Sequence, residues 1–303
     1  MMIRPPFLAP GATVAIAATG RKVVPTQMEE AKKILTAWGL NVRFAPHLFS
    51  DGHTYLAGTD QERLEDFQNL VNDKTIHAII CARGGYGTTR IVDAFNFDAL
   101  VQNPKWIVGF SDVTSLHLKL FAQGIESIHG TMPVLFGQDD AGPSLESLRN
   151  VLFGESWIVE ALPDTDNQSG VVTAPIIGGN LSLVADAMGT PSEPDTSGKI
   201  LVIEEICEHK YKLDRLLTQL KRAGKLERLA GLVVGHMTDI EDSESFSERV
   251  QEIVLNKVKG HDYPVAFGLP IGHENPNLAW RHGSTVRLKV DARGCRIEML
   301  NAV

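Results

Sequence analysis

Cysteine is scarce: Cys81, Cys207 and Cys295 lie far apart along 303 residues, each in apolar surroundings. An odd, scattered set excludes a disulfide scaffold and predicts small core residues in a reducing compartment, with the cytoplasm as the default. Positive charge is also in deficit, with 29 Lys and Arg against 37 Asp and Glu for a formal charge of −8. No basic run interleaved with aromatics occurs, which argues against nucleic acid as a partner, because phosphate neutralisation needs clustered cations. No apolar run reaches membrane-spanning length. The opening MMIRPPFLAPGATVAIAATG is broken by Pro5, Pro6 and Pro10 and predicts a first strand rather than a signal peptide. Repeats of fixed period and low-complexity tracts are missing too, so the whole chain reads as folded.

What is present is an alternation of strand-length apolar runs with segments of helical period. Strands are predicted at 13–18, 41–46, 76–82, 106–110 and 125–130, with helices near 26–38 and 60–73, a short one from about 87, and one over 111–123. This order predicts an α/β fold, with a mostly parallel N-terminal sheet covered by helices on both faces and ligands gathered beyond the carboxyl ends of its strands. Over 151–175 the pattern lapses into turn residues, predicting a linker between a domain at 1–150 and a smaller α+β domain at 176–303. In that second domain helices are expected at 178–189, 211–224 and 245–259. Strands are expected at 199–206, 229–235, 264–268, 284–290 and 295–300, antiparallel at the end.

Four stretches carry candidate chemistry. In GFSDV (109–113), Ser111 follows a buried strand and precedes a helix, where a nucleophile would be presented to solvent with the Asp112 N–H aimed at the same space. Ser at a helix start is also an ordinary N-cap, and the second Gly of G-x-S-x-G is absent. RGGYG (83–87) offers glycines whose N–H groups suit an oxyanion, a phosphate or simply a tight turn, without G-x-G-x-x-G or a following G-K-[ST]. Glu204 and Glu205 in VIEEICE alternate along a strand, so at most one can face a shared cleft. His273 lies in GLPIGHENPN between Gly272 and Pro276, and its spacing to His282 matches no metal-ligand pattern. Ser, carboxylate and His in this order supply the parts of a hydroxyl-activating triad.

As a set, these stretches resemble the LD-carboxypeptidase family, serine peptidases that include muramoyl-tetrapeptide carboxypeptidases and microcin C immunity peptidases. PGATVAIAATG, RGGYG, GFSDVTSLH, GGNLSLV, GTPSEPDTSGKILVIEE, YKLDR and GLPIGH carry the resemblance in order. It implies Ser111 as nucleophile, Glu204 as the acid and His273 as the base. The oxyanion donors would be Asp112 and Gly85, with Gly84 the less favoured choice, and Arg83, Gly84 and Trp280 would contact substrate. The expected activity is removal of a C-terminal D-amino acid from cytoplasmic muropeptides in wall recycling, by a homodimer without metal or organic cofactor. A microcin-type peptidyl or aminoacyl nucleotide, its base stacked on Trp280, is the alternative substrate, and a non-catalytic binding module the remaining possibility. Two loops depart from the family pattern, AATGRK (17–22) and the segment containing Trp280 and Arg281, and both are expected to border the substrate.

Overall fold

The computed structural model describes residues 2–242 and 246–300. Its first half follows the predicted alternation except that the short helix expected from about 87 is two 3-10 turns, Thr88–Arg90 and Val92–Ala94, and that α3 and α5 were not expected: β1 (Thr13–Ala17), α1 (Pro25–Ala37), β2 (Asn41–Phe44), α2 (Asp60–Asn72), β3 (Ala78–Cys81), α3 (Asp98–Gln102), β4 (Trp106–Gly109), α4 (Thr114–Ala122), β5 (Ser127–His129) and α5 (Gly142–Phe153). β1, β3 and β4 are fully or almost fully buried because apolar side chains point to both faces, as a covered parallel sheet requires. α2 starts cleanly because the Thr59 hydroxyl accepts from the Glu62 N–H while Glu62 reaches back to the Thr59 N–H.

The second half runs β6 (Ile158–Ala161), β7 (Gly170–Asn180), α6 (Leu181–Asp186), β8 (Ile200–Ile206), α7 (Lys210–Arg222), β9 (Gly231–Thr238), α8 (Val250–Val258), β10 (Val265–Phe267), β11 (Trp280–His282), β12 (Thr285–Asp291) and β13 (Gly294–Met299). α8 replaces the helix expected at 245–259, of which residue 245 lies outside the described residues. Two corrections concern the domain plan. The expected linker at 151–175 holds β6 and half of β7, both paired into the second sheet. Its polar alternation marks strands with one wet face. The other correction is β11, which leaves the C-terminal half and pairs antiparallel with β5 at the edge of the N-terminal sheet.

The N-terminal sheet has the order β11-β5-β4-β3-β1-β2, parallel except for β11. Strand order reverses between β1 and β3, the switch point beyond which open α/β sheets hold ligands. The second sheet, β10-β9-β8-β7-β12-β13-β6, is parallel from β10 to β7 and antiparallel beyond. One apolar cluster runs through both, joining Ile16, Ile79 and Val108 of the first to Ile176, Val202 and Val233 of the second. Cys81 and Cys295 are buried as expected. Cys207 is exposed instead, because the chain leaves β8 at Ile206 and turns with φ 55° at Cys207.

β11 also corrects the role expected of Trp280, which is fully buried and therefore unavailable to stack on a substrate. Its indole packs at 5.1 Å from the His129 ring and 5.6 Å from His282. Arg281 is buried as well, and the cavity it lines, with Arg4, Glu126 and Lys199, contains none of Ser111, Glu204 and His273. His117, 5.5 Å from His282, completes a buried histidine cluster. Burial lowers all three, His117 to about 4 despite its bond to the Gly109 carbonyl. The folded state thus keeps them neutral while the unfolded chain takes up protons below about pH 6.5, so they cost stability as pH falls. His129 has no hydrogen-bond partner on either ring nitrogen among the described residues, which makes phenylalanine its natural neutral replacement. Urea unfolding of His129→Phe at several pH values should show the variant gaining on the wild type by up to about 1.4 kcal/mol per pH unit below 6.5. A pH-independent difference would show that His129 takes up its proton equally in both states and is not held neutral by the fold.

Candidate active site

Ser111 adopts φ 61°, in the left-handed region that non-glycine residues rarely occupy. The N-cap reading fails on geometry: a cap has extended dihedrals, and no side-chain cap bond is made at the start of either the 3-10 turn Ser111–Val113 or α4. The turn is a strained strand-to-helix elbow. Val113, at the position of the absent second glycine, fills the space over Gly109, where a Cβ would lie 2.8–2.9 Å from its methyls, so residue 109 must be glycine. Below the elbow, Asp112 is buried and its carboxylate accepts from the Thr88 N–H at 2.9 Å and hydroxyl at 2.7 Å. Burial raises the Asp112 pKa, and the Thr88 bonds oppose that rise. The Asp112 side chain therefore ties the elbow to the glycine loop.

Across the cleft, β8 and the loop after β10 deliver the other groups. His273 Nε2 lies 2.9 Å from Ser111 Oγ and its Nδ1 lies 2.7 Å from Glu204 Oε2. Glu204 is fully buried and His273 13% exposed at its side chain. Burial drives the Glu204 carboxyl up, while the His273 hydrogen bond pulls it back. Such a chain can draw the hydroxyl proton onto the imidazole and stabilise the resulting cation. Glu205 points to the opposite face, where it accepts from Asn180 Nδ2 at 2.8 Å and from the Ser182 N–H and hydroxyl at 2.9 and 2.7 Å. It is buried too, so neither carboxylate is a solvated strand-end charge.

The His273 loop is seated by close backbone approach. Register slips between Ile203 and Glu205, a bulge that gives β9 one extra residue at Gly235–His236. The His236 N–H donates to the Ile271 carbonyl at 2.7 Å, and a Cβ on Gly235 would fall 2.3 Å from that oxygen. Gly272, at φ 132°, lies against Glu204. The Phe110 ring, 4.9 Å from the imidazole, packs on His273. His282 is spent elsewhere, accepting from the Gly178 N–H, and no group of three or more His, Cys, Asp or Glu with metal-binding geometry occurs among the described residues.

The glycine loop separates its two residues by environment. A Cβ on Gly84 would fall 2.9 Å from Ser111 Cβ, 3.1 Å from its Oγ and 3.4 Å from the Asp112 N, whereas one on Gly85 would meet Arg21 and the Tyr55 hydroxyl. Gly84 is therefore the residue in contact with the elbow. Arg83, half-buried beside it, has no carboxylate within salt-bridge distance among the described residues. Arg21 and Tyr55 escaped assignment from sequence, although the 17–22 loop was a visible departure from the family pattern. Gly84→Ala should cut labelling of Ser111 by a fluorophosphonate roughly a hundredfold through displacement of the hydroxyl. Unchanged labelling in a folded variant would show that the loop yields without moving Ser111.

Comparison with known proteins agrees with this architecture. Residues 12–130 match the LD-carboxypeptidase N-terminal domain and residues 173–288 the LD-carboxypeptidase C-terminal domain. A probable murein peptide carboxypeptidase of Bacillus subtilis is 33% identical over 97% of this chain and 94% of its own. The murein tetrapeptide carboxypeptidase of Pseudomonas aeruginosa is 29% identical over 91% and 92%. The crystal structure of muramoyltetrapeptide carboxypeptidase from Oxalobacter formigenes superposes with a TM-score of 0.88 at 27% identity, covering 96% of this chain and 99% of that one. The fold is shared as well by MccF in complex with glutamyl sulfamoyl guanosine, with a TM-score of 0.87 at 22% identity over 98% of each chain. With both halves of the chain matched in order and related proteins spanning nearly its full length, this protein belongs to the LD-carboxypeptidase family of peptidases.

Proposed function

We infer that the protein is a serine peptidase that removes a C-terminal D-amino acid from muropeptides. The observation that carries this reading is the hydrogen-bonded chain from Ser111 through His273 to Glu204, with the serine in a left-handed elbow. Ser111 attacks the scissile carbonyl, and His273 takes its proton and returns it to the leaving amine. Glu204 holds the ring and stabilises the imidazolium. The Asp112 N–H and the glycine-loop N–H groups of residues 84–85 surround the oxyanion. The names of the full-length relatives from B. subtilis and P. aeruginosa support murein peptides as the substrate class. Cytoplasmic location and a homodimer accompany the reading through the family resemblance. The nucleotide alternative loses its aromatic platform, since Trp280 is enclosed in the core.

The reading is tested by release of D-alanine from an LD-tetrapeptide. Ser111→Ala and His273→Ala should each abolish nearly all turnover, and the double variant should be scarcely worse than either, because both act on one proton transfer. Full hydrolysis by Ser111→Ala would reject the mechanism. The adjacent carboxylates make a second test. Glu204→Gln should cost rate steeply, because an amide leaves the imidazolium without its counter-charge. Glu205→Gln should keep most of the rate but lower stability by about 1–3 kcal/mol, as the donors on Asn180, Ser182 and Ile206 lose a charged acceptor. Kinetics and urea unfolding of both variants separate the roles, and the reverse ranking would refute the assignment.

A further inference from the structure

Two arginines without a carboxylate partner among the described residues adjoin the glycine loop that contacts Ser111. Arg21 lies in the loop after β1 and Arg83 in the loop after β3, the two strands that flank the topological switch point. The Arg21 N–H donates to the Gly84 carbonyl, its stem touches the position of a Cβ on Gly85 at 3.0 Å, and its guanidinium lies 5.1 Å from the centre of the Tyr55 ring. Arg83 feels both burial and the Arg21 charge, each disfavouring its cation. Nearby acids are already engaged: Asp60 binds Arg63 and Arg90, and Asp112 binds Thr88. Among the described residues neither Arg21 nor Arg83 has a carboxylate partner.

Like charges held together beside a reactive serine form a site for an anion, and the guanidinium fork matches a carboxylate in two parallel hydrogen bonds. The spacing fits one anion in particular. Gly84 touches Ser111 and the next residue, Gly85, touches Arg21, so nucleophile and guanidinium stem are offset by one residue along the loop. In a peptide cleaved before its last residue, the terminal carboxylate likewise lies one residue, about 3.8 Å, beyond the scissile unit. Resting on the peptidase reading above, we propose that Arg21 and Arg83 together bind the free C-terminal carboxylate of the substrate and so restrict this protein to removing a terminal residue. Tyr55 holds the Arg21 guanidinium over its ring, where it is restrained yet open to solvent on its other side.

The test compares an LD-tetrapeptide ending in free D-alanine with the same peptide ending in D-alanine amide. The wild type should favour the acid strongly in kcat/KM. Arg21→Gln and Arg83→Gln should each shrink that acid-over-amide ratio by roughly tenfold or more, chiefly through KM for the acid. Because Arg83 is half-buried, the exposed Arg21 provides the variant whose folding is least at risk. An unchanged ratio in both variants overturns the proposal and leaves the peptidase reading intact. A wild type that cleaves neither peptide, releasing neither D-alanine nor D-alanine amide, overturns the peptidase reading alone. Calorimetry on Ser111→Ala with N-acetyl-D-alanine and its amide then decides the carboxylate site by itself. Preferential binding of the acid that is lost in Arg21→Gln supports it, and equal or absent binding of the two rejects it.

Discussion

The hydrogen-bonded chain Ser111–His273–Glu204 is divided between two sheets, and its geometry depends on how those sheets are docked. Ser111 hangs on β4 of the first sheet, while Glu204 and His273 are carried by β8 and the loop after β10 in the second. Bonds of 2.7 and 2.9 Å tolerate little relative motion. Docking is secured by three devices of different kinds: the shared apolar cluster, the addition of β11 to the edge of the first sheet, and buried polar contacts across the seam. Thr114 Oγ1 accepts from the Asn180 N–H at 3.1 Å, and His282 Nε2 from the Gly178 N–H at 3.0 Å. The two domains therefore form one packed body around the cleft.

Adjacent glutamates at the end of one strand show how alternation assigns chemistry. Glu204 is stripped of water and given one strong partner, an imidazole, whose protonation would relieve the cost of the buried carboxylate. Glu205 is stripped of water too but surrounded by an amide, an N–H and a hydroxyl, which satisfy it permanently. The first arrangement leaves a charge that responds to its neighbour, and the second locks the start of α6 to β8. A one-residue slip in β8 would exchange the two environments.

Much of this was legible in the sequence, for identifiable reasons. β1, β3 and β4 were visible because strands buried on both faces are continuous apolar runs, and the opposition of Glu204 and Glu205 followed from a period of two. β11 was invisible: Trp280, Arg281 and His282 make no apolar run, and their pairing with β5 spans some 150 positions of sequence. The supposed linker hid β6 and β7 because strands with a wet face resemble turns when polar residues alternate. Trp280 drew a functional assignment as an aromatic in a departing loop, while its burial rests entirely on tertiary packing. The elbow at Ser111 lacked the second glycine that would have marked it, that position being Val113, which packs on Gly109.

The division of the site between sheets has a consequence during synthesis. The ribosome releases β1 to β5, and with them the serine, long before the loop carrying His273 and the strand β11 that fastens it. Until those last segments emerge and dock, the hydroxyl has no base, and on the proposed mechanism it is as inert as any surface serine. On that mechanism a chain cut short before His273 would be unable to attack a peptide bond. Reactivity would then arrive only once the late segments bearing His273 and β11 have been made and docked, so their docking would act as the activating event.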